Sequence, residues 1–403
     1  MLPIHGDPNV QEGVMASLQQ ELDALRADGL YRWLRQIEGP QGPWMQVDGR
    51  KTIVLASSDY LGLASHPRLK EAARQAIDRY GCSASAARLI SGNHDLYPQL
   101  EERLARFKGT EAALVFSTGY QANLGVISAL MDSQDVVFSD ELNHASIVDG
   151  CRLSKAQVRV FPHNDLVALE RLLEREGSAR RKLIVVDGLY SMDGDLAPLA
   201  KIVDLAERYD CMTMVDDSHG TGVLGASGRG AVEANGVLGR IDIETGSLAK
   251  ALGGFGAYVV GSRTVIDYLI NRARSFIFTC AMPPAVLATV LEALAVIEEE
   301  PERRQRLWDN TRYLRSGLRD LGFEVGQSET QIIPLMVRES ERTMRVCQEL
   351  LDRGVFAQGI RYPSVPRGTE RIRLTVTASH STSDLDTALI TLAEVGRSLR
   401  LVS

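Results

Sequence analysis

Between Cys211 and Lys250 the chain twice sets a short apolar run directly before a cluster of chemically active side chains, and that repetition narrows the folds open to it. Met212-Thr213-Met214-Val215 reads as a buried strand that delivers Asp216-Asp217-Ser218-His219-Gly220 into a glycine-rich loop. Ile241-Asp242-Ile243 reads as a second strand, leading into Thr245-Gly246-Ser247-Leu248-Ala249-Lys250. Ligands of open parallel sheets gather outside the carboxyl ends of the strands, so the Asp216 carboxylate, the His219 imidazole and the Lys250 amine are expected at one sheet edge. Such a trio suits an aldehyde cofactor with a basic ring nitrogen. The lysine forms a Schiff base, the carboxylate keeps the ring nitrogen protonated, and hydroxyl and phosphate groups take hydrogen bonds.

Three other chemistries share these residues. Gly220-Thr221-Gly222-Val223-Leu224-Gly225 matches a dinucleotide-binding fingerprint, but Gly228, Gly230 and Gly236 break up the helix that should follow it. Ser247-Leu248-Ala249-Lys250 fits a serine-acylation motif whose K-T-G and S-D-N companions are absent. Asp216 and His219 could ligate a metal, yet no H-E-x-x-H or C-x-x-C accompanies them, and no metal is expected.

The 403 residues are 44% hydrophobic and 24% charged, enough for one large core and a smaller domain. A net charge of −7 gives no basic footprint for nucleic acid. Five scattered cysteines show neither disulfide nor metal spacing and point to a reducing cytoplasm. No export signal is read at the start. The most apolar long segment, Met282 to Ile297, contains Pro283, Pro284 and Glu292 and falls short of a membrane span.

In chain order, an amphipathic helix is expected around Leu18, Leu22, Leu25 and Leu30, then a hairpin from Trp44 to Ala56 centred on Asp48-Gly49. Strands are expected at Ala112–Phe116, Val136–Phe138, Val158–Phe161, Leu183–Asp187, Met212–Asp216, Ile241–Glu244 and Gly256–Gly261. Helices from about Pro283 to Leu321 bridge to a smaller part with strands Ile332–Val337, Val355–Ile360 and Ile372–Val376. Its closing helices are expected at Met344–Arg353 and Leu385–Leu399. The fold class is α/β: a large, doubly wound, mostly parallel sheet domain with a smaller C-terminal α+β domain. The expected division is an arm and hairpin (1–50), a large cofactor-binding domain (51–295) and a small domain (296–403).

Loops after the other strands enlarge the site. Ser117-Thr118-Gly119-Tyr120 opens a helix whose N–H groups could hold a phosphate. Asn143-His144-Ala145-Ser146 offers an imidazole to lie on a ring, and Tyr190-Ser191-Met192-Asp193 offers a hydroxyl. Each alone would be an ordinary turn with a helix cap. Their shared sheet edge argues for a site.

Asp59-Tyr60-Leu61-Gly62, Ser117 to Asn123, Asn143 to Ser146, Ser191 to Gly194, Val215 to Gly222, Leu248 to Gly254 and Arg371-Ile372-Arg373 together resemble the α-oxoamine synthase family. These are fold-type I pyridoxal 5'-phosphate enzymes that join an amino acid to an acyl thioester with loss of carbon dioxide. The resemblance runs from about Glu21 to Leu399. It implies that Lys250 is the Schiff-base lysine and proton shuttle, that Asp216 pairs with the ring nitrogen, and that His219 bonds the ring hydroxyl. It further implies that His144 stacks on the ring, that Ser191 supports the same polar edge, and that Gly119, Tyr120 and Ser247 hold the phosphate. Arg373 would bind the amino-acid carboxylate, with Ser58 facing it where relatives carry asparagine. Tyr97, Ser247, Ala281 and Tyr362 are further departures from the family pattern. The resemblance also implies a homodimer in which Thr279 serves the other chain's site.

Val355 to Gln358, Val365 to Thr369 and Arg371 to Leu374 are most similar to the branch that joins L-alanine to a pimeloyl thioester, on coenzyme A or a carrier protein, in biotin synthesis. Glycine with an acetyl thioester and serine with a palmitoyl thioester are the alternatives within the family. A plain aminotransferase and a non-catalytic cofactor-binding protein are those outside it.

Overall fold

The computed structural model describes residues 8–177 and 179–402. Seven strands form the central sheet in the order Ala112–Phe116, Ala257–Gly261, Ile243–Ser247, Met212–Asp216, Lys182–Asp187, Val136–Asp140, Gln157–Phe161. Ala257–Gly261 runs antiparallel to both neighbours, and every other pairing is parallel. All residues of Ala112–Phe116, Val136–Asp140 and Ala257–Gly261 are buried, as expected of strands covered by helices on both faces. Alternation along Ala257–Gly261 divides the two layers. Tyr258 and Val260 join the core beneath helices Leu96–Lys108 and Pro284–Glu299, while Ala257 and Val259 join the core beneath Gly119–Leu130 and Arg263–Arg272.

A second sheet of three antiparallel strands, Ile332–Met336, Arg371–Thr375 and Gln358–Ile360, carries Arg373 on its central strand. Helices Glu302–Asp320, Ser340–Asp352 and Thr382–Ser398 belong to this part. The hairpin Trp44–Val47/Arg50–Val54 forms as expected, and its second strand pairs in parallel with Val355–Phe356. Residues on either side of position 50 are thus tied to the C-terminal part by backbone hydrogen bonds.

Three expectations shift. Val355–Ile360 is two strands, because the chain leaves the hairpin's sheet at Phe356 and enters the Arg373 sheet at Gln358. An apolar pattern does not report a change of partner. The strand expected at Ile241–Glu244 is Ile243–Ser247, since Thr245, Gly246 and Ser247 pair with Val259, Tyr258 and Ala257 despite the weak strand preference of Gly246. Gly246 is required there, as a Cβ would collide with the Tyr258 ring. The first helix spans Pro8–Ala27 and leaves Leu30 outside, where its N–H turns back to the Leu25 carbonyl. Among the described residues no helix is long and apolar enough to cross a membrane.

Candidate active site

Asp140, Asp187 and Asp216 end three adjacent parallel strands, and Ser247 ends the next, so four polar side chains leave the sheet at one edge. Helix Gly119–Leu130 begins above them, with Thr118 accepting from the Gln121 N–H as its cap. His144 caps the helix Ala145–Ser154 in the same way. A cavity of about 190 Å³ lies between these termini. Gly119, Tyr120, His144, Ser191, Asp216, His219, Ser247 and Lys250 all line it.

A directional hydrogen-bond chain organises its base. Asn123, one turn into the helix and buried, donates from Nδ2 to Asp216 Oδ2 at 2.7 Å and to Ser146 Oγ at 2.9 Å. Its own Oδ1 accepts from Thr245 Oγ1 at 2.9 Å, which fixes the amide's orientation. The Ser218 N–H donates to Asp216 Oδ1 at 2.9 Å. His144 Nδ1 accepts from the Ser146 N–H at 3.3 Å and lies 2.7 Å from Ser146 Oγ, so in the neutral ring the proton is on Nε2. Burial lowers the His144 pKa against the opposing pull of Asp216.

His219 Nδ1 lies 2.7 Å from the hydroxyl of the fully buried Tyr60, which also accepts from Arg373 Nη2 at 3.2 Å. Burial, then the positive charges of Lys250 and Arg373, pushes the His219 pKa well below its usual value. Arg373 Nε donates to the Ser191 carbonyl at 2.7 Å, so the small part of the molecule grips the Ser191 loop. Lys250 Nζ makes no hydrogen bond among the described residues. Burial lowers its pKa, Asp216 opposes the shift, and Arg373 adds to it. The arrangement sets an amine of lowered basicity beside a fixed carboxylate, two imidazoles whose protonation burial disfavours, and a helix N-terminus.

Three expected residues lie outside the cavity lining. Arg373 reaches its edge only through Ser191 and Tyr60. Ser58 gives its carbonyl to the Tyr60 N–H at 2.8 Å, and Thr279 Oγ1 accepts from Gln121 Nε2 at 3.4 Å. The Tyr120 hydroxyl donates to Asp149. Ser191 also accepts from Arg373 through its backbone carbonyl. Sequence reading missed Asn123, Ser146, Tyr60 and Asp187 as site residues. The first three sit inside motifs that drew attention for their neighbours. Asp187 ends its strand just as Asp216 ends the next, and the two are paired in register.

The glycine-rich stretch after Asp216 is a run of turns, and the next helix is only Ala231–Ala234, so the dinucleotide arrangement is not built. Among the described residues no group of three or more His, Cys, Asp or Glu side chains could hold a metal.

The fold and site define a class: a two-part α/β protein with a buried lysine and a strand-end aspartate lining one cavity. The sequence pattern of the aminotransferase class I and II family matches residues 50–392. The chain belongs to that family, and within it to the α-oxoamine synthases. It is 53% identical over 388 residues to the 8-amino-7-oxononanoate synthase of Geobacter metallireducens, covering 96% of this chain and 99% of that one. It is 50% identical over 386 residues to the enzyme of the same name from Symbiobacterium thermophilum, covering 96% and 98%. Among solved structures, a serine palmitoyltransferase from S. paucimobilis with a bound PLP-myriocin aldimine superposes with a TM-score of 0.91 at 33% identity, over 96% of this chain and 98% of that one. The 8-amino-7-oxononanoate synthase of Francisella tularensis superposes with a TM-score of 0.73 at 28% identity, over 86% and 98%.

Pyridoxal phosphate fits the residues present. The cavity ends at a helix N-terminus where a Cβ on Gly119 would meet no atom within 4 Å, leaving room for an anion against free N–H groups. Its base is a carboxylate already held by two donors, and its wall carries the one amine, Lys250.

Proposed function

We infer that this protein condenses L-alanine with a pimeloyl thioester, on coenzyme A or a carrier protein, with loss of carbon dioxide, giving 8-amino-7-oxononanoate for biotin synthesis. The cofactor is pyridoxal 5'-phosphate, which when bound supplies an aldehyde for Lys250 and an electron-accepting ring. The observation that carries the reading is Lys250 itself: an amine whose pKa is lowered by burial, without a hydrogen-bond partner among the described residues, in a cavity based on Asp216. Identity near one half over almost the whole chain to 8-amino-7-oxononanoate synthases supports the substrate pair.

Each side chain then has a task. Lys250, less basic than usual, offers a free amine to the aldehyde, and its Nζ takes and returns the proton at the substrate α-carbon. Asp216, fixed by Asn123 and Ser218, presents the opposite charge that keeps the ring nitrogen protonated. His144, held neutral by burial and oriented through Nδ1, would stack on the ring. His219 would offer its remaining nitrogen to the ring hydroxyl, with Ser191 supporting the same polar edge. Gly119, Tyr120 and Ser247 would hold the phosphate at the helix end. Arg373, its Nε and Nη2 anchored, turns the rest of its planar guanidinium to the amino-acid carboxylate, with Ser58 nearby.

A second cavity, of about 210 Å³, is lined by Tyr31, Arg32, Trp33, Arg35 and Arg361 with residues of the small part. Arg32 has no ion pair among the described residues, and we assign Tyr31 and Arg32 to the far carboxylate of the pimeloyl chain. The division into 1–50, 51–295 and 296–403 belongs to the same proposal, as does a cytoplasmic homodimer in which Thr279 serves the partner's phosphate. The close superposition on serine palmitoyltransferase favours serine with a long acyl chain as the second reading.

The test is a grid of glycine, alanine and serine against acetyl, pimeloyl and palmitoyl thioesters, following thiol release and the mass of the amine product. One methyl group is worth only ~1–3 kcal/mol of discrimination, so some crossover among small amino acids is expected. Alanine with pimeloyl thioester should turn over best. Failure of that pair while another succeeds would sink the substrate assignment, and a keto acid without thiol release would indicate an aminotransferase.

A further inference from the structure

His163 stands outside the lining of the Lys250 cavity and sets each ring nitrogen against a different aspartate. Nδ1 lies 3.0 Å from Asp140 Oδ1, and Nε2 lies 2.6 Å from Asp195 Oδ2. An ionised carboxylate only accepts, so both contacts are hydrogen bonds when both nitrogens carry protons, which is the cationic ring. The ring of the buried Tyr190 meets the imidazole at 87°, with centroids 4.4 Å apart, and limits its rotation.

The charged groups that face His163 from the neighbouring elements are acidic. Asp140 and Glu141 come from the end of strand Val136–Asp140, Glu141 accepting the His163 N–H at 2.9 Å, and Asp195 comes from the loop after Lys182–Asp187. Burial opposes the charge, but the bonds to Asp140 and Asp195 push the imidazole up to about 10. Against its own burial, Asp140 is held below the usual carboxylate range by His163 and by the N–H groups of Asn164 and Leu142, each donating at 2.9 Å.

The two aspartates belong to different walls of the site. Asp140 ends its strand four residues before His144, and the Asn143 N–H turns back to its carbonyl at 3.2 Å. Asp195 closes the loop that carries Ser191, its carbonyl accepting from the Tyr190 N–H at 3.0 Å. The small part of the molecule grips that loop from the other side: Arg373 on the Ser191 carbonyl, Arg371 on the Met192 carbonyl at 3.2 Å and Thr330 Oγ1 on the Gly194 carbonyl at 2.8 Å. Among the described residues the Asp195 side chain is bonded only by His163 and, at 3.2 Å, by Asn164 Nδ2. Its other oxygen has no partner there.

We propose that His163 is a positioning residue: its charged ring ties Asp195 to Asp140 and so holds the Ser191 loop, with the Arg373 guanidinium anchored on it, in register with the strand end that leads to His144. The effect falls on the amino acid, because Arg373 is the group assigned above to its carboxylate, and the proposal rests on that reading.

Nitrogen NMR of the apoprotein, with His163 assigned by its absence from His163→Gln, should show both ring nitrogens protonated at neutral pH and deprotonation only as the pH nears about 10. A ring that titrates near the ordinary 6.5 overturns the proposal. His163→Gln reaches only one of the two carboxylates and should raise KM for alanine about tenfold with kcat changed less than about threefold. His163→Arg keeps the charge and a planar fork, and its KM should return to within about threefold of wild type. An unchanged KM in His163→Gln, or an equal loss in both variants, reduces His163 to a structural residue and overturns the proposal. If His163→Gln does not fold, Asp195→Asn, at the more exposed end of the bridge, takes the same kinetic test. A wild type that turned over no amino acid would overturn the functional reading instead. Hydrogen exchange in the apoprotein then decides the positioning alone: the Gly194 N–H, bonded to the Tyr190 carbonyl at 2.9 Å, should exchange about tenfold faster in the variant, and an unchanged rate overturns it.

Discussion

Asp216 and Asp217 are consecutive, and their carboxylates end in opposite kinds of charged environment. Asp217 is fully buried against Lys108, which is also buried and pairs with it at 3.1 Å and with Glu244 on the next strand. Thr221 Oγ1 and the Ala231 N–H donate to Asp217 at 2.9 and 3.0 Å, and Tyr258 links Thr221 to Glu244. Gly230, at a φ of 101°, lets the loop close over this carboxylate, because a Cβ there would strike it. Asp216 faces the cavity, where the Lys250 amine and the Asp187 Oδ1 atom have no hydrogen-bond partner among the described residues. The protein completes its own charges where they hold the fold and withholds partners where a ligand is to supply them.

Removing the lysine from each region is the strongest way to break that comparison. Lys250→Ala should reduce thiol release by at least ~10⁴-fold, the upper end of what a proton-transferring group contributes, because in the proposed function the same amine also anchors the cofactor. Its urea midpoint should match or exceed the wild type, since a desolvated cation has been removed. Lys108→Met should instead lower the stability of the apoprotein by ~3–5 kcal/mol by leaving buried carboxylates uncompensated. Adding Glu244→Leu should recover a large part of that loss. A Lys250 variant that unfolded, or a Lys108 variant of full stability, would dissolve the distinction.

This contrast also explains what was legible in the sequence. Apolar runs of four or five residues, each followed by polar loop residues, are enough to read the sheet and its functional edge, because burial of the central strands leaves little composition to chance. Eight expected residues meet in one cavity for that reason. The Lys108 cluster was not legible: Lys108 lies in an ordinary amphipathic helix, and nothing in Ala105-Arg106-Phe107-Lys108-Gly109 tells that its ammonium is internal. Asn123 and Ser146 escaped for a related reason. Their importance lies in connecting Asp216 to His144, a relation between three elements distant in sequence. Tyr60 similarly matters only once Arg373 and His219 meet it.

A smaller effect separates the two aspartates. Asp216→Asn should lose ~10²–10³-fold in kcat, comparable with removal of a single preorganised electrostatic group, while still binding cofactor. Near-normal turnover in that variant would make Asp216 structural, like its neighbour. The pH dependence of stability sharpens the other side. Glu244 is raised to about 8 from 4.5, first by burial, and Lys108 pulls against the shift. The folded chain therefore holds a proton that the unfolded chain releases between those values, so this group's contribution to stability declines as pH rises through that window and is level above it. Glu244→Gln cannot titrate, and its stability relative to wild type should rise across the same window. A pH-independent difference would show that Glu244 is ionised throughout.

The smallest expected effects come from two fully buried tyrosines, one in each region. Tyr60 OH joins His219 to Arg373, and Tyr258 OH joins Thr221 to Glu244. Removing either hydroxyl deletes a hydrogen bond worth about 1 kcal/mol net, so the sizes should be similar and only the readouts differ. Tyr60→Phe frees the guanidinium that we assign to the amino-acid carboxylate, and KM for the amino acid should rise about fivefold with kcat little changed, the signature of lost uniform binding. Tyr258→Phe should leave both constants near wild type and lower the urea midpoint, because its partners touch no ligand. Arg373→Lys provides the control: a point charge cannot keep both the Ser191 and Tyr60 contacts, and its KM should rise further than that of Tyr60→Phe. If Tyr258→Phe altered KM as much as Tyr60→Phe, the self-neutralised cluster and the ligand-facing cavity would have to be treated as one electrostatic unit.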